Sequence, residues 1–414
     1  MKSVVSSLAL ALALAGFAAA PAIAQKAPGQ FDRNRYVSAA ERPQPEFDPL
    51  PLRAGAFEIR SRLGLAVRSN DNIYAEASNA TDDVIIGATP ELELKSTWSV
   101  HEISAGVRAD HREYLDQGEE SSTDFTGFLR GRLDVTREFW VGGSIDGGRI
   151  TEQRYEPAAR TGAGLTEYDR ADTALLAAFR RDRFQVEGRV GSASSDFNTA
   201  QNFRDVTETY AAGRASYAIS PDVAVYVQGR VADQDYDFVG TSLNPSRDGR
   251  RTTGQIGLNF ELAAPFRGDI AVGYVKDEKD ALSRPDTDGM SVDGRLEWFP
   301  TELTTVTFTG QRDIFDPGLV NSSTAYNTAF GVRIDHELRR NVLLFGEARS
   351  RSIDFQDIDR TDDQGEFGIG LGYKLNRRAR LDLSYMMRTQ DSSGAQSERD
   401  FDQNILSAAL VIYP

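Results

Sequence analysis

Phe125-Thr126-Gly127-Phe128-Leu129-Arg130-Gly131-Arg132-Leu133-Asp134-Val135 decides the fold. Its odd positions are apolar or glycine, while its even positions carry Thr126, Phe128, Arg130, Arg132 and Asp134. A period of two over this length is a strand with two unlike faces, not a helix. The same period returns at Phe57–Arg68, Val223–Val231, Ile256–Leu262, Phe367–Leu375 and Leu381–Tyr385. Stretches with helical spacing are nearly absent from Gly55 onward.

The connections alternate in length. Tight turns are expected at Arg137-Glu138, Arg181–Arg183, Ser220–Asp222, Ala263–Phe266, Phe299–Glu302, Arg339-Arg340 and Asn376-Arg377. Longer polar loops fall between them, at Ser69–Asp83, Gln153–Glu167, Asp237–Arg250 and Asp391–Arg399. Short turns at one end and long loops at the other are the habit of an outer-membrane barrel. The expectation is an all-β, transmembrane, antiparallel up-and-down barrel of about 18 strands, with 16 as the alternative, occupying residues 54–414. An even count leaves both termini on the periplasmic side.

The opposite faces of these strands are charged. The residues expected to face the lumen are Arg60, Arg62, Glu91, Glu93, Arg108, Arg112, Arg130, Arg132, Asp134, Arg189, Arg295, Glu297, Arg349, Arg351 and Arg380. A sealed core could not hold so many ions, since dehydrating each costs several kcal/mol. A hydrated lumen holds them readily. The pairs Arg60/Arg62, Arg130/Arg132 and Arg349/Arg351 lie two apart and so share a face, forming rungs. Facing carboxylates would give either a transverse field that orients polar solutes or mutual salt bridges that plug a narrow lumen. Tyr114, Phe128, Trp140 and Tyr226 are inward aromatics by parity. Trp98, Phe139, Trp140, Tyr217, Trp298, Phe299, Tyr373 and Tyr413 stand near strand ends, as interfacial girdles do.

Composition narrows the function. The 414 residues carry a net charge of −15 and no cysteine. Disulfides, thiol catalysis and cysteine metal sites are excluded. The acidic balance argues against nucleic acid, which needs a basic face. Met1–Ala24 has Lys2, an Ala/Leu-rich apolar run and the small-residue site Ala22-Ile23-Ala24, so a secretory signal peptide cleaved after Ala24 is expected. Gln25–Arg53 holds five prolines and no periodicity, and reads as an extended or disordered periplasmic arm.

Sites for chemistry are sparse. His101 and His336 fall at periplasmic strand ends, and His111 falls on the apolar face by parity, so no catalytic His is expected. Thr161-Gly-Ala-Gly-Leu165 has no lysine or helix behind it to cradle phosphate. The carboxylates of Asp354–Asp363 lack the spacing of a calcium loop and read as a solvated acidic loop. No catalytic, metal or cofactor site is expected.

Arg68–Ala75 followed by Asp83–Trp98, with Asn70–Tyr74 and Thr89–Leu94 most specific, resembles the opening of the putative β-barrel porin 2 family. The resemblance implies a Gram-negative outer-membrane barrel. Its implied surroundings are outer-membrane lipid, lipopolysaccharide and the barrel-assembly machinery. Some members of that group accompany exopolysaccharide export, which implies polysaccharide and periplasmic export components as partners. The sequence therefore points to a passive channel for hydrophilic solutes. The rivals are an exit pore for secreted polysaccharide and a plugged structural barrel that binds an envelope partner. Acids crowd the expected extracellular loops, among them Asp71, Asp83, Glu120, Asp316, Asp357 and Asp362, so a weak cation preference is the expectation.

Overall fold

A computed structural model of the chain describes residues 35–159, 164–238, 240 and 245–414, except the side chains of residues 199 and 200. The expected signal segment and most of the Thr161–Leu165 glycine loop lie outside the described residues. A short strand, β1 (Leu52–Ala54), precedes the barrel. The first half of the barrel is β2 (Phe57–Asn70), β3 (Asp83–Ser96), β4 (Glu102–Tyr114), β5 (Ser122–Asp134), β6 (Phe139–Thr151), β7 (Glu167–Arg181), β8 (Phe184–Phe197), β9 (Val206–Ala218) and β10 (Val223–Tyr236). The second half is β11 (Gly249–Glu261), β12 (Phe266–Lys279), β13 (Thr287–Thr301), β14 (Thr304–Phe315), β15 (Ala325–Arg339), β16 (Val342–Phe355), β17 (Thr361–Asn376), β18 (Ala379–Ser393) and β19 (Phe401–Ile412).

Each strand from β2 to β19 pairs antiparallel with its successor, and β19 returns to β2 through Ile405↔Asn70 to Ile412↔Leu63. The result is a closed barrel of 18 strands, the larger of the two expected counts. Closure pairs backbone groups that lipid could not satisfy. No helix among the described residues is long and apolar enough to cross a membrane.

Strand faces follow the alternation. Leu65, Val67, Leu129, Leu133, Ile145, Leu175, Val190, Val227, Ile256 and Leu406 are exposed on the outer surface, where a soluble protein would put charge. Lipid is the solvent that makes this arrangement favourable. Trp98, Tyr217, Trp298 and Tyr373 are also exposed near the turn end. Three aromatics assigned to that girdle stand elsewhere. Trp140 and Tyr413 line the interior cavity, and Phe299 is buried beneath Tyr36. Parity explains Phe299: it follows Trp298, so the two rings must point to opposite faces.

Pro90 sits inside the closed sheet. It faces Leu63 of β2, and the β3–β4 ladder skips from Ala88↔His111 to Glu91↔Arg108 around it. Proline has no N–H to donate, which opens that gap.

The segment before β1 is ordered from residue 35 onward. Beside a few local turns, its hydrogen bonds and ion pairs reach barrel residues 187 or more positions away, so the order it has is invisible to local composition, which points to an extended or disordered arm.

Candidate solute path

A cavity of about 2580 Å³ opens at the turn end of the barrel and reaches Ile150 and Arg170, near the loop end, along β6 and β7. Arg60, Arg62, Glu91, Glu93, Arg108, Arg130, Arg132, Arg189, Arg295, Glu297 and Arg380 line it. The other four expected lumen residues do not. Asp134 sits at the turn-end rim, where it accepts from Arg132 and from the His101 backbone N–H at 3.0 Å. Arg112 is buried nearer the loop end and holds Asp124 at 2.6 Å. Arg349 pairs across β16 with Gly331 and Glu366, and Arg351 reaches Asn327 at 2.8 Å and Glu156 at 3.7 Å.

Most lumen arginines are paired along the wall with nearby strands, while Arg351 meets Glu156 of the β6–β7 loop across the lumen. Arg62 and Arg108 share Glu91 at 2.5 and 3.0 Å, and Arg130 meets Asp146 at 2.5 Å. Arg189 meets Asp172 at 2.5 Å, Arg267 and Arg295 share Glu297 at 2.5 and 2.9 Å, and Arg380 meets Asp382 at 2.6 Å. Salt bridging of the arginines is present, but beside it lies an open cavity of about 2580 Å³ rather than a plug. The period-two pattern places a charge on the face but leaves its cross-strand neighbour to the register.

The inward aromatics lie flat. Phe128 faces Gly106 and Tyr226 faces Gly257, and a Cβ on either glycine would stand within 2.4 and 2.2 Å of the ring. Glycine is what lets the ring rest on the wall. Arginines then cover the rings: Arg130 over Phe128 at 4.4 Å, Arg132 over Trp140 at 5.1 Å, and Arg214 over Tyr226 at 3.4 Å. Such stacking is favourable because the ring face is electron-rich. Tyr210, which parity could have found, carries Arg189 and Arg230 at 5.5 and 4.4 Å. Tyr114 of β4 lies farther towards the loop end and does not line the cavity.

Charge in the cavity does not follow the whole chain. Twenty basic and fifteen acidic side chains line it, although the chain as a whole is acidic.

The loop end is packed. Glu152, Arg154, Tyr155 and Glu156 of the β6–β7 loop reach towards strands well around the barrel. Tyr155 is buried with Ala75 and Phe401, and Arg388 lies over its ring at 3.7 Å. Burial pushes the Tyr155 phenol well above its ordinary pKa. Asn72, within the resemblance segment, donates to the Glu76 and Asp402 carbonyls at 2.8 and 2.9 Å, fastening the first loop to β19. Acids on the inner side of the loops are matched. Glu120 meets Arg154 at 2.5 Å, Glu152 meets Arg204 at 2.6 Å and Asp316 meets Arg247 at 2.7 Å. Arg360 joins Asp362 and Glu398 at 2.5 and 3.0 Å. Asp83 accepts backbone N–H groups of Val84, Leu115 and Gln117. The acidic mouth expected from the sequence is thus partly consumed within the loop network. Asp82, Asp116 and Asp280 remain exposed, as does Asp71, which accepts from Asn404.

At the turn end, residues 36–52 run along the inside of the rim and form one side of the cavity. The histidines stand off the path. His111 bonds Thr123 at 2.8 Å on the outer face, His336 bonds Thr304 at 3.0 Å, and His101 accepts from Asp134 N–H at 3.0 Å.

A family model described as putative beta-barrel porin 2 matches residues 44–413. Among solved structures, the outer membrane protein OpdK from Pseudomonas aeruginosa aligns with a TM-score of 0.50 at 12% identity, covering 86% of this chain and 99% of that one. A BenF-like porin from Pseudomonas fluorescens Pf-5 aligns with a TM-score of 0.49 at 13% identity, with 86% and 99% covered. No curated protein matches the chain.

Proposed function

The chain belongs to the putative beta-barrel porin 2 family, and from that premise we propose that it is a porin-like outer-membrane channel in which the arginine surplus of the turn-end cavity favours small hydrophilic anions. The observation that carries the reading is the lining of that cavity, twenty bases against fifteen acids. Most rung arginines are held by carboxylates at hydrogen-bonding distance and so guide rather than bind. Arg170, Arg339, Arg340 and Arg378 also line the cavity, and they give the surplus its place. The exposed loop acids act within about 10 Å at 0.1 M salt, a short reach compared with the confined cavity beyond them. The barrel takes part through position, not bond-making. Solutes diffuse, guanidinium groups lower the energy of anions in the cavity, and no covalent step is involved.

A secretory signal cleaved after Ala24 fits this location and forms part of the proposal. Small solutes suit the path better than a polymer, because the Tyr155 loop stands in the loop-end half and the inward ring faces are covered by arginine. Reversal potentials across a planar bilayer, measured with the mature protein under potassium chloride gradients, test the reading. The expected result is anion preference at low salt, weakening near 1 M. Cation preference would return control to the loops, and absence of conductance in a folded barrel would favour the plugged, structural reading.

A further inference from the structure

Residues 35–51 take a course that a simple leader into the barrel does not need. Arg35 donates to the Glu261 carbonyl at 3.0 Å and meets Asp222 at 2.7 Å on the β9–β10 turn. The Glu261 carboxylate accepts the backbone N–H groups of Arg35 and Tyr36 at 2.7 and 2.8 Å. Tyr36 stacks on Phe299 of β13 at 4.9 Å, and Arg267 of β12 holds its carbonyl at 3.0 Å. The Ala39 N–H donates to Thr305 of β14 at 2.9 Å, in a buried contact. Arg42 reaches Glu337 of β15 at 3.4 Å. Asp48 meets Lys374 of β17 at 2.6 Å, and Arg377 donates to the Pro45 carbonyl at 2.7 Å. The chain then enters β1 and pairs with β2. It has followed the inner rim past β11–β17, roughly half of the mouth.

The contacts are mostly polar. Beyond the Tyr36–Phe299 stack and the buried Ala39, they are ion pairs and hydrogen bonds; those at the two ends, to Asp222 and Lys374, are partly exposed, while Glu261, Thr305 and Glu337 are buried beneath the segment. Exposed pairs of this type contribute little each and are screened by salt. A permanent plug would be expected to bury apolar surface instead. We propose that residues 35–51 form a removable strap that narrows the turn-end mouth of the cavity, and that its release widens the path. Glu261, Glu337 and Lys374 are the wall groups the strap engages, and they return to the lumen when it leaves.

This inference rests on the channel reading, and conductance separates the two. Three purified, reconstituted proteins are compared in potassium chloride: the mature chain, a variant lacking residues 36–50, and Arg42→Ala/Lys374→Ala. The deletion keeps β1 and every barrel strand. The expected result is a rise in single-channel conductance for the deletion and a smaller rise, or more frequent openings, for the double substitution. Equal conductance in a folded deletion variant and the parent overturns the strap and leaves the channel intact. Absence of conductance in both overturns the channel reading itself. If the deletion does not assemble, Ala39→Cys/Thr305→Cys decides, because the chain has no other cysteine. Conductance that rises when the disulfide is reduced supports the strap, and conductance indifferent to reduction overturns it.

Discussion

At Asp269 three donors converge on one lumen carboxylate: Tyr226 at 2.5 Å, Arg214 at 2.8 Å and Asn259 at 3.2 Å. Arg214 and Asp269 are each only 8% exposed, so water does little to replace a lost partner. Arg214→Met should therefore cost about 3–5 kcal/mol, the usual result of leaving one member of a buried pair uncompensated. Arg214→Met/Asp269→Asn should recover part of that, because neither charge then remains and the amide oxygen still accepts from Tyr226. Urea unfolding in lipid vesicles measures both, and a double variant no better than the single would place the loss in the Tyr226 stack. In the loops, burial opposes the ionisation of Asp316, but the Arg247 charge and the Gly318 N–H outweigh it and hold the carboxyl below its ordinary range. A lowered folded-state pKa gives stability that is present above the unfolded value, about 3.9, and lost as pH falls through the folded value. The protection of the Gly318 amide, measured relative to the intrinsic exchange rate at each pH, should thus be lower at pH 2 than at pH 6. Asp316→Asn should remove most of that difference.

Strands and loops differ in how much of them the sequence carries. Leu129 and Arg130 are adjacent, and alternation alone sends one to lipid and the other to the cavity. Leu129→Arg should cost about 2–4 kcal/mol, the range for a cation near the bilayer midplane. Arg130→Gln should cost less, since an amide can still donate to Asp146 within a wetted lumen. Comparable losses from both would contradict the assigned faces. The strap and the loop cap were not legible in this way. Tyr155 meets Arg388, and Lys374 meets Asp48, only because the closed barrel brings distant segments together. Prolines and polar residues without a period are the composition of an unstructured arm, and they are equally suited to lying along a charged rim. The same limit applies to the rungs. Parity gave their face, while the identity of each carboxylate partner depends on register and tilt.

For the molecule as a whole, the seam is where closure is least complete. β19 covers β2 only from Leu63 to Asn70, so Phe57–Arg62 extends past the end of its neighbour. β1 covers half of that exposed edge through Leu52↔Ile59, Arg53↔Glu58 and Ala54↔Phe57, with a turn at Gly55 in the left-handed region, φ 59°. A bare strand edge invites fraying and pairing with other chains. The strap therefore ends in a piece of sheet that shields the seam, and its two parts are separable. A folded barrel should migrate faster on a denaturing gel when unheated than after boiling. Removing residues 36–50 should leave the temperature of that conversion nearly unchanged, because β1 remains. Removing residues 36–54 should lower it and increase association between barrels in detergent. Should both deletions behave alike, β1 would be a passive end of the strap, and the stability of the seam would rest on the β19–β2 ladder alone.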